Sequence, residues 1–137
     1  MRFMMLMIPQ GYRPSEAAPT GIPSAEMVAK MMAFNEDLQK AGALLALDGL
    51  HPLSAGVRLS YAGGEATVMD GPEAKDVLGG YWMIKAASLQ EAVAWARRCP
   101  AQDGDIIEIR QVQEMSDFPE DVVQAAKENA PSLAERM

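Results

Sequence analysis

The order of elements along this sequence predicts an α+β domain of ferredoxin-like type, β-α-β-β-α-β, with an inserted β-hairpin and a C-terminal helix. Three observations carry the expectation. Two segments with helical apolar spacing, one closed by Gly42 and one by Pro100, alternate with short apolar runs of strand length. Gly63-Gly64 separates two stretches that alternate with period two. The first strand and the strand at 81–84 are apolar on both faces, as in a sheet covered front and back.

The first strand spans residues 3–8, and residues 9–23, with Pro9, Gly11, Pro14, Pro19, Gly21 and Pro23, are punctuated like a loop. Ser24 offers an N-cap to a helix whose Met27, Met31, Phe34 and Leu38 fall on one face. Gly42 ends it, because glycine takes positive φ at no steric cost. Leu44 to Leu50 reads as a short apolar strand. The hairpin pairs residues 57–61 with 66–70, so that Ala62 faces Glu65, Tyr61 faces Ala66, Leu59 faces Val68 and Val57 faces Asp70. After the strand at 81–84, Ser88-Leu89-Gln90-Glu91 is a capping box opening the second helix, and residues 106–112 form the last strand. Asp117-Phe118-Pro119-Glu120 reads as a second capping box, starting a C-terminal helix that ends before Pro131.

Composition narrows the function. The chain has 137 residues, 49% apolar and 23% charged, the balance of one ordinary globular domain. Nineteen acidic against 12 basic residues give a net charge of −7, which argues against a nucleic-acid partner because phosphate binding needs cations. The excess is uneven: residues 113–137 carry six acidic and two basic groups, so residues 119–137 read as an acidic extension of a domain at 1–118. The single Cys99 and single His51 leave no multi-cysteine or histidine-rich metal site, and no cofactor motif such as a Gly-rich phosphate loop is present. The apolar run at 3–8 stops at Pro9, far short of the ~20 residues of a membrane span. No membrane association is expected, and the protein reads as cytoplasmic.

A packing argument follows from the two-faced strands. Phe3, Met5 and Met7 lie on one side of the first strand and Met4, Leu6 and Ile8 on the other, while Tyr81 and Met83 oppose Trp82 and Ile84. Two helices cover one face only. A second copy of the sheet is the economical cover for the other, giving a homodimeric α+β barrel with a shared apolar interior.

The candidate chemistry centres on Asp70 and His51. Asp70 is a carboxylate on the apolar side of the hairpin, at the end joined by residues 52–56 to the strand that finishes at His51. As an acid/base pair, Asp70 would fix the imidazole tautomer and raise its basicity. The alternative is an Asx-type cap of the Gly71-Pro72 turn, with His51 a partly exposed strand-end residue. Lys75, Tyr81 and Trp82 are candidate pocket-lining residues, and one His with one Asp falls short of a metal's ligand set. Arg97 and Arg98 near Cys99 would lower its pKa if it were reactive; a half-buried structural thiol is the alternative.

The segments Thr67-Val68-Met69-Asp70-Gly71-Pro72, Leu78-Gly79-Gly80-Tyr81-Trp82, Ala92-Val93-Ala94-Trp95-Ala96 and Ile107-Glu108-Ile109-Arg110-Gln111-Val112, with Gly49-Leu50-His51-Pro52, resemble the YCII-related family and, more narrowly, its DGPF branch. The resemblance spans roughly residues 1–118 and implies a dimeric ferredoxin-like barrel. It also brings a distant ring-dehydrochlorinating member resembling muconolactone isomerases, and relatives that accompany extracytoplasmic-function sigma factors. Two departures stand out. The family's site histidine lies on the first helix, where this chain has none, so that role does not pass to His51; and Glu73 follows Pro72 where the branch usually has Phe. The expectation is a small-molecule pocket in each subunit, with isomerase or lyase chemistry on a small organic acid or aromatic. The alternative is a non-catalytic regulatory or interaction module docking through the acidic segment from Glu114.

Overall fold

In chain order, the computed structural model contains β1 (Arg2–Ile8), α1 (Ala25–Lys40), β2 (Leu44–Gly49), β3 (Arg58–Ala62), β4 (Glu65–Met69), β5 (Gly80–Lys85), α2 (Leu89–Arg97), β6 (Ile106–Gln111), α3 (Glu120–Asn129) and α4 (Pro131–Ala134). The structure describes residues 1–10, 24–69 and 77–136. Strands β2, β5, β1 and β6 form one antiparallel sheet in that order, with the first strand in the middle. This is the ferredoxin-like arrangement.

Local rules account for most element ends. The Ser24 hydroxyl accepts from the Met27 N–H at 3.3 Å and caps α1, and Gly42 follows with φ +71°. Ser88 accepts from Glu91 N–H while the Glu91 carboxylate accepts from Ala87 N–H, closing the start of α2 from both sides. Gly63 and Gly64 take φ of +59° and +81°, the double positive φ of a type I′ turn. The register is Ala62 with Glu65, Tyr61 with Ala66 and Leu59 with Val68, as expected; the pairing of Val57 with Asp70 falls outside the described residues.

The C-terminal cap is the exception. Asp117 does not cap α3. Its carboxylate accepts from the Glu114 N–H at 2.7 Å and closes a short 3₁₀ turn at Met115–Asp117. Phe118 and Pro119 are then extended, with ψ of 149° and 156°, so α3 begins at Glu120 with no side-chain cap. Glu114 and Asp117 stand three residues apart and satisfy each other, which outcompetes a cap across Pro119. The C-terminal helix does end before Pro131, and that proline opens the one-turn α4 at the position where its missing N–H costs nothing.

The core lies between the sheet and helices α1 and α2. Phe3, Met5 and Met7 of β1 and Trp82 and Ile84 of β5 are buried there with Phe34, Leu38 and Ala92. Register pairs Phe3 with Ile84 and Met5 with Trp82, so the side chains meet across adjacent strands on this face. Phe34 meets the Trp82 ring edge-on, centroids 5.8 Å apart. Beneath it Asn35, a buried polar residue, accepts the Trp82 indole N–H at 2.7 Å. The hairpin β3–β4 is a separate two-stranded sheet, exposed along its whole length, Val57, Leu59, Tyr61 and Val68 included.

Candidate functional site

The face of the sheet opposite α1 and α2 is the candidate site. Strand alternation sends Met4 and Leu6 of β1, and Tyr81 and Met83 of β5, to this side, where each is half-buried. One rung across the sheet brings Asp48, Tyr81, Leu6 and Glu108 side by side in register. The Tyr81 hydroxyl donates to Asp48 Oδ2 at 2.7 Å. That hydrogen bond, followed by the charge of Asp48 and by desolvation, holds the phenol above its ordinary value of 10.0, so at neutral pH its proton stays committed to the carboxylate.

Gly80 allows this approach. A Cβ there would stand 2.8 Å from the Asp48 carbonyl oxygen and 3.3 Å from Gly49 Cα, both backbone atoms that cannot swing aside. Gly80→Ala is expected to push β2 away from β5 at this rung, costing about 1–3 kcal/mol and lengthening the Tyr81–Asp48 bond. A thermal melt unchanged within 1 °C would contradict this tight packing.

A second polar contact closes the far end of the face. Arg2 grips Glu114 through two parallel hydrogen bonds, Nε to Oε1 at 2.8 Å and Nη2 to Oε2 at 3.0 Å, and its Nη1 lies 3.8 Å from Met83 Sδ. The same bonds hold the Glu114 carboxyl below its ordinary value. The contact therefore stabilises the fold above the ordinary carboxylate pKa, and is lost as pH falls through the lowered value. Glu114, the leading residue of the acidic segment, thus spends both carboxylate oxygens on Arg2.

His51 is exposed beyond the end of β2 and has no hydrogen-bond partner among the described residues. Asp70 and Lys75 lie outside the described residues. Tyr81 is on the open face, but Trp82, its neighbour on the strand, points the other way into the core and spends its N–H on Asn35. Cys99 is half-buried and its thiol is pushed up to about 11, chiefly by burial and then by Asp105. Arg98 does not activate it, because Arg98 pairs with Asp37 at 2.9 Å and stacks over Trp95. Among the described residues no three His, Cys, Asp or Glu side chains cluster as metal ligands, and no helix is long and apolar enough to cross a membrane.

The sequence reading missed Asp48 and Arg2. Asp48 stands out in Leu44-Leu45-Ala46-Leu47-Asp48 as the one charge in an apolar strand, a usable signal. Its partner, 33 residues away, was not readable without the register.

The sequence profile of YCII-related domains matches residues 1–116. The chain belongs to the YCII-related family. This YCII-related chain is also 43% identical over 69 residues to an uncharacterised protein of Rhizobium meliloti (strain 1021), a stretch covering 49% of this chain and 56% of the relative. The chain therefore spans little more than half of that relative's length.

Proposed function

We propose that this YCII-related protein is a cytoplasmic homodimer in which two sheets meet through the faces turned away from α1 and α2, each subunit holding a small organic molecule in an apolar pocket. The reaction class we assign is isomerase- or lyase-type proton transfer. The observation that carries the reading is the open face itself: Met4, Leu6 and Met83 form an apolar floor crossed by the bonded pair Tyr81 and Asp48 and flanked by Glu108, Arg110 and the Arg2–Glu114 pair. Ligand sites combine mostly apolar walls with a few placed polar groups, and this face has that composition.

A second copy supplies the cover that α1 and α2, both on the other side, do not provide. Two-fold pairing brings the same apolar strands of each copy together. In this reading His51 and Asp70 would act as the acid/base pair that moves the proton, with Lys75 and Tyr81 as ligand-binding residues. Support for the placement of His51 is local: it follows Asp48 by three residues, just past the end of β2.

The test is the mass in solution. Sedimentation equilibrium at micromolar concentration is expected to give twice the 14.8 kDa of one chain. A single-chain mass over that range overturns the shared pocket.

A further inference from the structure

We infer that the two copies stack about a two-fold axis running across the strands, so that Glu108 of each copy pairs with the partner's Arg110. This pairing rests on the homodimer reading above and fixes how its two faces meet.

Two neighbouring rungs of the open face are complete in register. One carries Asp48, Tyr81, Leu6 and Glu108 from the β2 edge to the β6 edge, and the next carries Ala46, Met83, Met4 and Arg110. Beyond the second rung Lys85 stands beside Arg2, whose charge Glu114 already meets. The β6 edge thus presents an acid and a base two residues apart. Both are exposed, and at 3.9 Å from each other they are too far apart for a hydrogen bond within the chain.

A face-to-face homodimer has its two-fold axis in the plane between the sheets. Orthogonal stacking turns its corners with strands shared by both sheets, which two separate chains lack, so the sheets align to within about 30°. The axis then runs along the strands or across them. Along the strands, it lays β2 over the partner copy's β6. Asp48 would face the partner's Glu108, carboxylate against carboxylate at both ends, and Lys85 would face the partner's Arg2.

Across the strands, each strand lies antiparallel over its own copy. An axis centred on the first rung sets Glu108 on the partner's Glu108, and one on the second sets Arg110 on the partner's Arg110. Centred between them, level with Met5 and Trp82, it exchanges the two rungs. Glu108 then meets the partner's Arg110 twice in the dimer, across the ~10 Å between stacked sheets that these two long side chains span together. Leu6 meets the partner's Met4, and the Tyr81 ring meets the sulfur of the partner's Met83. Lys85 and Arg2 fall over the Ile8 end of the other sheet, clear of its cations. On the opposite edge Asp48 meets only the small Ala46 of the partner subunit. The pocket therefore opens along β2, beside Tyr81, and one of its walls belongs to the other copy.

Two charge reversals in the full chain test this pairing by sedimentation equilibrium. Glu108→Arg sets like charges against the partner's Arg110 at both ends, and Arg110→Glu does the same against the partner's Glu108. Each variant alone is expected to dimerise about 10–100-fold more weakly than the native chain. Mixed in equal amounts, the two are expected to form a heterodimer of near-native affinity, because each reversed charge then meets the other; native mass spectrometry identifies it. Loss of the contact within β6 cannot produce rescue on mixing. Far-UV circular dichroism checks that both variants are folded.

Folded variants that associate no better mixed than alone overturn the pairing. So does a Glu108→Arg dimer tighter than the native one, the result expected if Glu108 faces the partner's Asp48. In either case a native chain at the dimer mass leaves the homodimer standing. A native chain at the mass of one copy defeats the homodimer, and this pairing with it.

Discussion

Replacing Trp82 with alanine is expected to remove about 3–5 kcal/mol of folding stability, the range for deleting a large buried aromatic. Against a typical total of about 5–15 kcal/mol, that is enough to leave much of the protein unfolded at 37 °C. The size of the effect follows from what the ring does. It fills the space over Phe34 and in register with Met5, and its N–H is bonded to Asn35, which is only 7% exposed. Trp82→Phe should cost less, about 1–3 kcal/mol, because an aromatic remains but the Asn35 oxygen is left buried with no donor. Urea unfolding followed by circular dichroism measures both. A cost below about 1 kcal/mol for Trp82→Ala would mean that the ring is not the core element its burial indicates.

Leu6→Asp is expected to split the proposed dimer while leaving each subunit folded. Leu6 sits at the centre of the open face, between Tyr81 and Glu108 on its rung. A carboxylate buried there in an interface would be unpaired and would stand beside an existing acid. Such a charge costs about 3–5 kcal/mol, or two to three and a half decades in dissociation constant. The core side of β1, formed by Phe3, Met5 and Met7, is untouched, so the far-UV spectrum should be unchanged. Sedimentation gives the answer: a variant that stays at the dimer mass over the micromolar range shows that this face is not the contact.

How legible the molecule was depended on the range of the interaction. Features decided within four residues could be read directly. Ser24 and Ser88 cap helices because their hydroxyls reach an N–H three residues on, and Gly63-Gly64 turns the hairpin because both positions need positive φ. The two-sided apolar strands, and hence the sheet with one face turned from the helices, also follow from local alternation. Asp117 shows where local reading fails. Glu114 and Glu120 each stand three residues from Asp117 as a possible capping partner, and the spacing did not say that Glu114 would win.

The site was less legible because its bonds are long-range. Asp48 finds Tyr81 33 residues away, Asn35 finds Trp82 at 47, and Arg2 finds Glu114 at 112. Each depends on strand order and register, which alternation does not encode. Adjacency in sequence misled in the opposite sense: Tyr81 and Trp82 are neighbours, and for that reason alone a strand sends them to opposite faces.

The central position of β1 also has a consequence for biosynthesis. Of the four strands of this sheet, β1 is made before the others, yet it is flanked by β5 and β6, the two made last. One of its hydrogen-bonding edges stays unsatisfied until translation has passed Lys85 and the other until it has passed Gln111, and the sheet closes through contacts of long sequence separation, the kind that slow folding. Until then a Met-rich strand presents an open edge on the nascent chain, the kind of surface that chaperones shield.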